Sequence, residues 1–157
     1  MSANCAELTL ACMITLRPAT VEDDAAIRWL VHTGQINPTG LDWRRFVVAV
    51  NEAGLVVGCG QVKPHGDGSR ELASLAVHPD WRLQGVARAI IEHFIAAYPG
   101  ELYLMCREEI CPIYEKFGFR ALEEGEMPKY FQRLIRLARL LTTLFRQSSG
   151  VMVMRRG

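Results

Sequence analysis

The chain has 157 residues, half of them hydrophobic and 22% charged, with a formal net charge of +1. That is enough chain for one domain with a sizeable core, and so even a charge balance excludes a protein held mainly by nucleic-acid phosphates. No apolar run reaches the roughly 18 residues of a membrane span. The five cysteines include no Cys-x-x-Cys pair and the four histidines are scattered, which points to reduced thiols, a cytoplasmic setting and no metal site.

Residues 1–12 lack the basic start of a secretory signal and read as a loosely ordered N-terminal extension. Residues 13–157 read as a single domain. Ile14–Arg17 is a strand, closed by Pro18-Ala19-Thr20. Thr20 is placed to cap a helix, with Asp23 three residues on, and Ile27, Leu30 and Val31 form its apolar stripe. Gly34–Gly40 is a loop in which Asn37-Pro38 and Gly40 make turns. Leu41–Arg44 reads as a short helical turn with Trp43 as a core anchor. Phe46–Val50 and Leu55–Val62 are β-branched runs joined by Asn51–Gly54, a hairpin signal. A second tight connection, His65–Ser69, follows, with His65 read as a solvated loop residue.

Glu71–Val77 is short, almost wholly apolar and suited to a buried strand. Pro79-Asp80 is turn chemistry. After Arg82-Leu83-Gln84-Gly85-Val86-Ala87 a helical pattern begins, with Val86, Ile90, Phe94 and Ala97 on one stripe. The first N–H groups of a helix lack internal partners and sit at the positive end of its dipole, which makes an anion site. Gly85 removes a side chain where phosphates must approach the backbone. Ala87 keeps the next position small, and Arg82 and Arg88 add charge-assisted bonds. The turn therefore reads as a cradle for a diphosphate.

Beyond Pro99-Gly100, Glu101–Cys106 is a strand and Ile110–Phe119 runs through a short helix to a stop at Gly118. Residues 129–146 form an amphipathic helix. Phe131, Leu134, Leu137 or Ala138, and Leu141 line one face, and Arg133, Arg136 and Arg139 bias the other. It is expected to pack its apolar side on the domain; a homodimer contact, a lid and a membrane-surface helix are the alternatives. Val151–Arg155 is a last strand.

Arg82-x-x-Gly85-x-Ala87 after an apolar strand resembles the acyl-CoA signature of the GCN5-related N-acetyltransferases, the GNAT superfamily. Tyr114-Glu115-Lys116-Phe117-Gly118-Phe119 matches that family's second block about thirty residues on, and Leu16-Arg17-Pro18-Ala19-Thr20 resembles its opening strand and helix entry. The resemblance covers roughly residues 13–122 and the last strand. It implies an α/β (α+β) fold with a mixed, mostly antiparallel central sheet of about seven strands. That sheet is splayed between the fourth and fifth strands, with helices on both faces and an extra helix near the C-terminus.

The resemblance also implies acetyl-CoA as cosubstrate and a primary amine of a small molecule or peptide as acceptor, with Asn37, Asp42 and Trp43 on the acceptor side. CoA would lie between Glu71–Val77 and Glu101–Cys106. It would be bound by Leu75, Ala76 and Val77, where the strand bulges, and by Arg82, Leu83, Gln84, Gly85, Val86, Ala87 and Arg88. Tyr114 matches the family's proton donor to the departing thiolate, and Glu71 falls where some relatives carry a general base. Two departures are visible: Arg107 stands where many relatives carry Asn, and Pro112 lies inside the short helix. The competing implication is a non-catalytic acyl-CoA-binding or regulatory module with a partner-binding C-terminal helix.

Overall fold

The computed structural model describes residues 13–145 and 150–157. The extension expected over residues 1–12, and Arg146 at the expected end of the long helix, lie outside them. The elements are β1 (Ile14–Pro18), α1 (Asp24–Thr33), β2 (Phe46–Asn51), β3 (Val56–Pro64), β4 (Arg70–Val77), α2 (Val86–Ala97), β5 (Leu102–Arg107), α3 (Cys111–Glu115), β6 (Arg120–Ala121), α4 (Lys129–Phe145) and β7 (Val151–Arg156). The helical turn expected over Leu41–Arg44 is a 3-10 turn, Trp43–Arg45, capped by the Asp42 carboxylate.

One sheet of seven strands runs in the order β1-β2-β3-β4-β5-β7-β6. The pairs β1·β2, β2·β3, β5·β7 and β6·β7 are antiparallel. β4 and β5 are parallel, with Glu71 opposite Tyr103. Among the described residues the register of that parallel pair is limited to this position, the narrow joint that a splayed sheet requires.

The chain divides into two compact units: the residues through Val62 with Leu72–Ala96, and Lys63–Glu71 with Ala97–Gly157. In the first, α1 buries Ile27, Leu30 and Val31 with Phe46, Val48, Cys59 and Ala76. Its entry is fixed by Asp23, which accepts two bonds from Arg17 (2.7 and 3.0 Å) and one from the Thr20 amide (2.7 Å). Side chains alternate across a strand, so the residues flanking Cys59 on β3 face the other helix. They are glycines, and they must be: a Cβ on Gly58 would sit 2.6 Å from Val86 Cγ1, and one on Gly60 3.0 Å from Ile90 Cγ2. α2 thus beds directly on β-strand backbone through Val86, Ile90, Ile91 and Phe94, all buried.

The second unit has its own core of Tyr103, Leu122, Met127, Phe131, Ile135 and Val153. α4 contributes Phe131 and Ile135, one turn apart. Of the expected apolar face, Phe131 is buried and Leu134 half-buried, whereas Leu137 and Leu141 are 53% and 46% exposed; Ile135, outside that expected face, joins Phe131 in the core. The polar side is not merely solvated, since Arg136 and Arg139 both bond the Glu124 carboxylate, at 2.8 and 2.6 Å.

Filling the notch under α2 tests this packing. Gly58→Val should destabilise the protein by about 1–3 kcal/mol through overpacking, read as a lower urea midpoint with an unchanged slope. A midpoint equal to that of the native chain would show that α2 does not depend on the bare strand.

Candidate active site

In the first unit the site begins at a break in β4. Ser74, in the middle of the strand, has φ 55°, a left-handed conformation that a strand residue rarely takes. The bulge expected in this strand centres here. Its freed backbone groups have found partners. The Cys59 thiol donates to the Ser74 carbonyl (3.7 Å) and accepts from the Ala76 amide. Burial pushes that thiol up to about 12, so it stays protonated and able to donate. The Gln61 amide, fully buried, donates to Ser74 Oγ at 2.9 Å and to the Gly40 carbonyl at 3.2 Å. The Ala76 amide, expected with Leu75 and Val77 to meet CoA, is thus engaged by Cys59. Leu75 and Val77 are half-buried beside it.

Past Val77, the turn is built from short-range bonds. His78 N–H donates to Val57 O (2.8 Å), the His78 ring stacks on Trp29 with centroids 5.1 Å apart, and its Nδ1 accepts from the Asp80 amide. Gln84 Nε2 donates to Asp80 O at 2.8 Å. Leu83 and Gly85 both have positive φ, 60° and 89°. Leu83 is fully exposed, so its side chain does not hold it there. Alternating backbone of this kind turns successive N–H groups into a concave nest. Gly85 O accepts from Ala89 N–H at 3.0 Å, which makes Gly85 the N-cap of α2. The amides of Val86, Ala87 and Arg88 are then the helix's orphan donors. Arg82 is exposed and folds back toward Val77 O (Nε 3.4 Å), while Arg88 pairs with Glu92 at 2.9 Å.

The second unit carries the titratable candidates. Tyr114 sits on α3, whose first turn places Pro112 where proline is tolerated. Gly118 ends the helix with φ 84°, and Arg156 Nε caps the Phe117 carbonyl at 2.9 Å. Phe119 meets the Tyr114 ring edge-on at 6.1 Å. Burial, and then Cys106, push the Tyr114 hydroxyl up to about 12. Cys106 and Cys111 lie with sulfurs 3.6 Å apart, and burial pushes Cys106 up to about 12 as well. Cys106 is thus a protonated thiol, a poor nucleophile in that state. Arg107, in place of the relatives' Asn, ends β5 as an exposed residue.

Glu71 is buried, and its Oε2 lies 2.8 Å from His65 Nε2. The reading of His65 as a solvated loop residue is therefore corrected: its side chain is 9% exposed. The ring stacks on Tyr130 at 3.5 Å and 15°, and meets Phe131 edge-on at 5.7 Å. Tyr130 and Phe131 belong to α4, which is why the hairpin sequence alone carried no sign of this. A distant anchor completes it: Asp67 accepts from the Tyr130 amide at 2.9 Å. The Ser69 hydroxyl, and then that bond, hold the Asp67 carboxylate down to about 2. Asn37 and Asp42 serve turns, accepting from the Thr39 and Arg44 amides, and Trp43 packs on the α1 core as expected.

Among the described residues no helix is long and apolar enough to cross a membrane. A comparison with curated proteins finds no match. The fold is shared with solved structures. N-acetylglutamate synthase from Neisseria gonorrhoeae, complexed with coenzyme A and N-acetyl-glutamate, superposes with a TM-score of 0.73 at 18% identity over 91% of this chain. The match covers 34% of the synthase, so the chain spans about a third of that protein's length. Rv2747 from Mycobacterium tuberculosis, in complex with CoA and NLQ, gives 0.71 at 23% identity over 90% of this chain and 98% of that one. The ribosomal-protein-S18-alanine N-acetyltransferase of Escherichia coli gives 0.62 at 16% identity over 92% and 93%. The sequence model of the acetyltransferase (GNAT) domain matches residues 42–121, half of the chain, from the Asp42 turn through β6. With its kinked fourth strand, its open helix entry and that match, the chain belongs to the GNAT acetyltransferase family.

Proposed function

We propose that the chain is an N-acetyltransferase that moves an acetyl group from acetyl-CoA directly to a primary amine of a small molecule or peptide. The observation that carries this is the Arg82–Gly85 turn, whose two left-handed residues open a nest of amides at the start of a twelve-residue helix. Such an end binds a pyrophosphate without needing a side chain. Leu83, Gln84, Gly85, Val86, Ala87 and Arg88 would supply the amides, with Arg82 free to swing outward. Leu75 and Val77 would meet the pantetheine arm.

An amine attacks a thioester only when neutral, and a lysine-like amine titrates near 10.4 in solution. Glu71 is the base assigned to take that proton. Tyr114, protonated at any physiological pH, faces the opposite task. A free thiol titrates near 8.5, so handing its proton fully to the departing sulfur runs uphill by about 5 kcal/mol. Tyr114 is therefore assigned as a hydrogen-bond donor to the sulfur as charge develops on it. The thiolate collects its proton from solvent after it leaves.

Thiol release from acetyl-CoA would be followed with L-glutamate, spermidine and a peptide beginning with alanine. Release that needs both protein and amine is expected; no amine-dependent release with any of the three would remove the catalytic reading. Gly85→Glu puts bulk and a negative charge in the nest, and calorimetry should show CoA affinity lower by at least about a hundredfold. Unchanged affinity would place the nucleotide elsewhere. Tyr114→Phe should lower kcat by about ten- to a hundredfold, with KM for acetyl-CoA within about twofold. An equal loss in donor binding would make Tyr114 a packing residue.

A further inference from the structure

Glu71 has one oxygen engaged and one open. Its Oε2 lies 2.8 Å from His65 Nε2, and among the described residues no hydrogen bond reaches Oε1. Both side chains are buried, at 9% exposure for His65 and 11% for Glu71. An ionised carboxylate only accepts, so the proton between them is carried by His65 Nε2. That holds for the neutral ring and the imidazolium alike. The donor is itself held on several sides. Tyr130 stacks on the ring with centroids 3.5 Å apart, and Phe131 meets it edge-on at 5.7 Å. The turn beneath is closed by His65 N–H to Ser69 O at 2.9 Å and Gly68 N–H to His65 O at 3.0 Å. Asp67 ties that turn to α4, accepting from the Tyr130 amide at 2.9 Å. Stability alone asks for less, since an apolar pair of similar volume serves a buried site about as well as two ionisable groups. A glutamate side chain is long and rotates freely, and a bond from an immobile donor removes much of that freedom.

We propose that His65 is the positioning residue of the base: its Nε2–H fixes Glu71 Oε2, and with it the direction in which Oε1 meets the acceptor's N–H. This rests on the assignment of Glu71 as base. Glu71 touches the amine and is the catalytic residue; His65 acts through it and exchanges no proton. The transfer is a single step. R–NH3+ and the Glu71 carboxylate give R–NH2 and the Glu71 carboxylic acid, which returns its proton to water between turnovers. Such a transfer needs the two groups within hydrogen-bond reach, and a displacement of about 1 Å costs on the order of a hundredfold in rate. α4 thereby reaches the reaction at second hand: Tyr130 orients the ring, and the ring orients the base.

The test uses the full chain, acetyl-CoA and whichever of L-glutamate, spermidine and the alanine peptide is acetylated fastest. His65→Gln and His65→Leu both remove the stacked ring, but only Gln keeps an N–H at the reach of Nε2. A positioning donor separates them. His65→Leu should lower kcat by about ten- to a hundredfold and His65→Gln by no more than about threefold. CoA affinity by calorimetry should stay the same in both. An equal fall in the two would make His65 a packing residue and overturn the proposal. Action through Glu71 also requires non-additivity: in a Glu71→Gln background, His65→Leu should cost no more than about twofold. A further loss as large as in the native background would place His65 outside the task of Glu71. If Glu71→Gln is slow while both His65 variants match wild type, the positioning role fails and the base stands. If Glu71→Gln turns over like wild type, both fail. One readout needs no turnover: a long-range nitrogen–proton correlation spectrum of the native chain should show the His65 proton on Nε2, and a bare Nε2 would remove the bond on which the proposal stands.

Discussion

A single left-handed residue in the wrong place, by the rules of a β-strand, sets the terms for the first unit. Ser74 breaks the ladder of β4 at φ 55°, and a buried break leaves polar backbone that must be answered. From β3, Cys59 answers that backbone with its thiol, and Gln61 bonds the Ser74 hydroxyl with its amide. Both are fully buried. The alternating positions of the same strand, Gly58 and Gly60, carry no side chain and let α2 lie against the backbone. One strand thus braces the kink with one face and seats the helix with the other. Neither task tolerates much change, because a polar group removed from the first face orphans another, and an atom added to the second has nowhere to go.

The seat matters because the chemistry attributed to α2 lies at its end rather than along its side. Helix-terminal amides act over a short range, within about the first turn. Their usefulness depends on where the axis points. Close packing through Val86, Ile90 and Phe94 fixes that axis, and the His78–Trp29 stack and the Gln84–Asp80 bond fix the turn that leads into it. Rigid scaffolding ends there: Leu83 and Arg82 are exposed, and only backbone geometry shapes the nest.

Much of this was legible in the chain before any coordinates. Short β-branched or apolar runs marked the strands, Gly85 and Gly118 marked a helix start and stop, and the two blocks around Arg82 and Tyr114 pointed to the fold. These are local signals, and local signals survive without a partner. Those that failed needed one. His65 looked like a loop residue because Tyr130 and Phe131 are sixty-odd positions away. The Cys59 thiol gave no hint of bridging Ser74 and Ala76, since a buried cysteine reads as a small hydrophobe. The expected face of α4 was right at Phe131 but missed Ile135, while its Leu137 and Leu141 stay exposed. Periodicity says which residues share a side, whereas burial of Phe131 and Ile135 depends on distant partners such as Tyr103 of β5 and Val153 of β7.

α4 is the part of this chain with the weakest claim on the family pattern, and it has the strongest hold on Glu71. The Asp67 carboxylate accepts the Tyr130 amide near the start of that helix, where partial positive charge gathers and an anion is favoured. Tyr130 then covers the imidazole that faces Glu71. A longer connection before the last strand could have looped into solvent at little entropic cost, since each doubling of a loop adds only about 0.6 kcal/mol. Instead it folds, pairs Glu124 with two arginines and encloses a carboxylate–imidazole couple. An inserted helix that only filled space would have no need of Asp67. The bond that binds hairpin to helix makes sense if the environment of Glu71 is what the insertion serves.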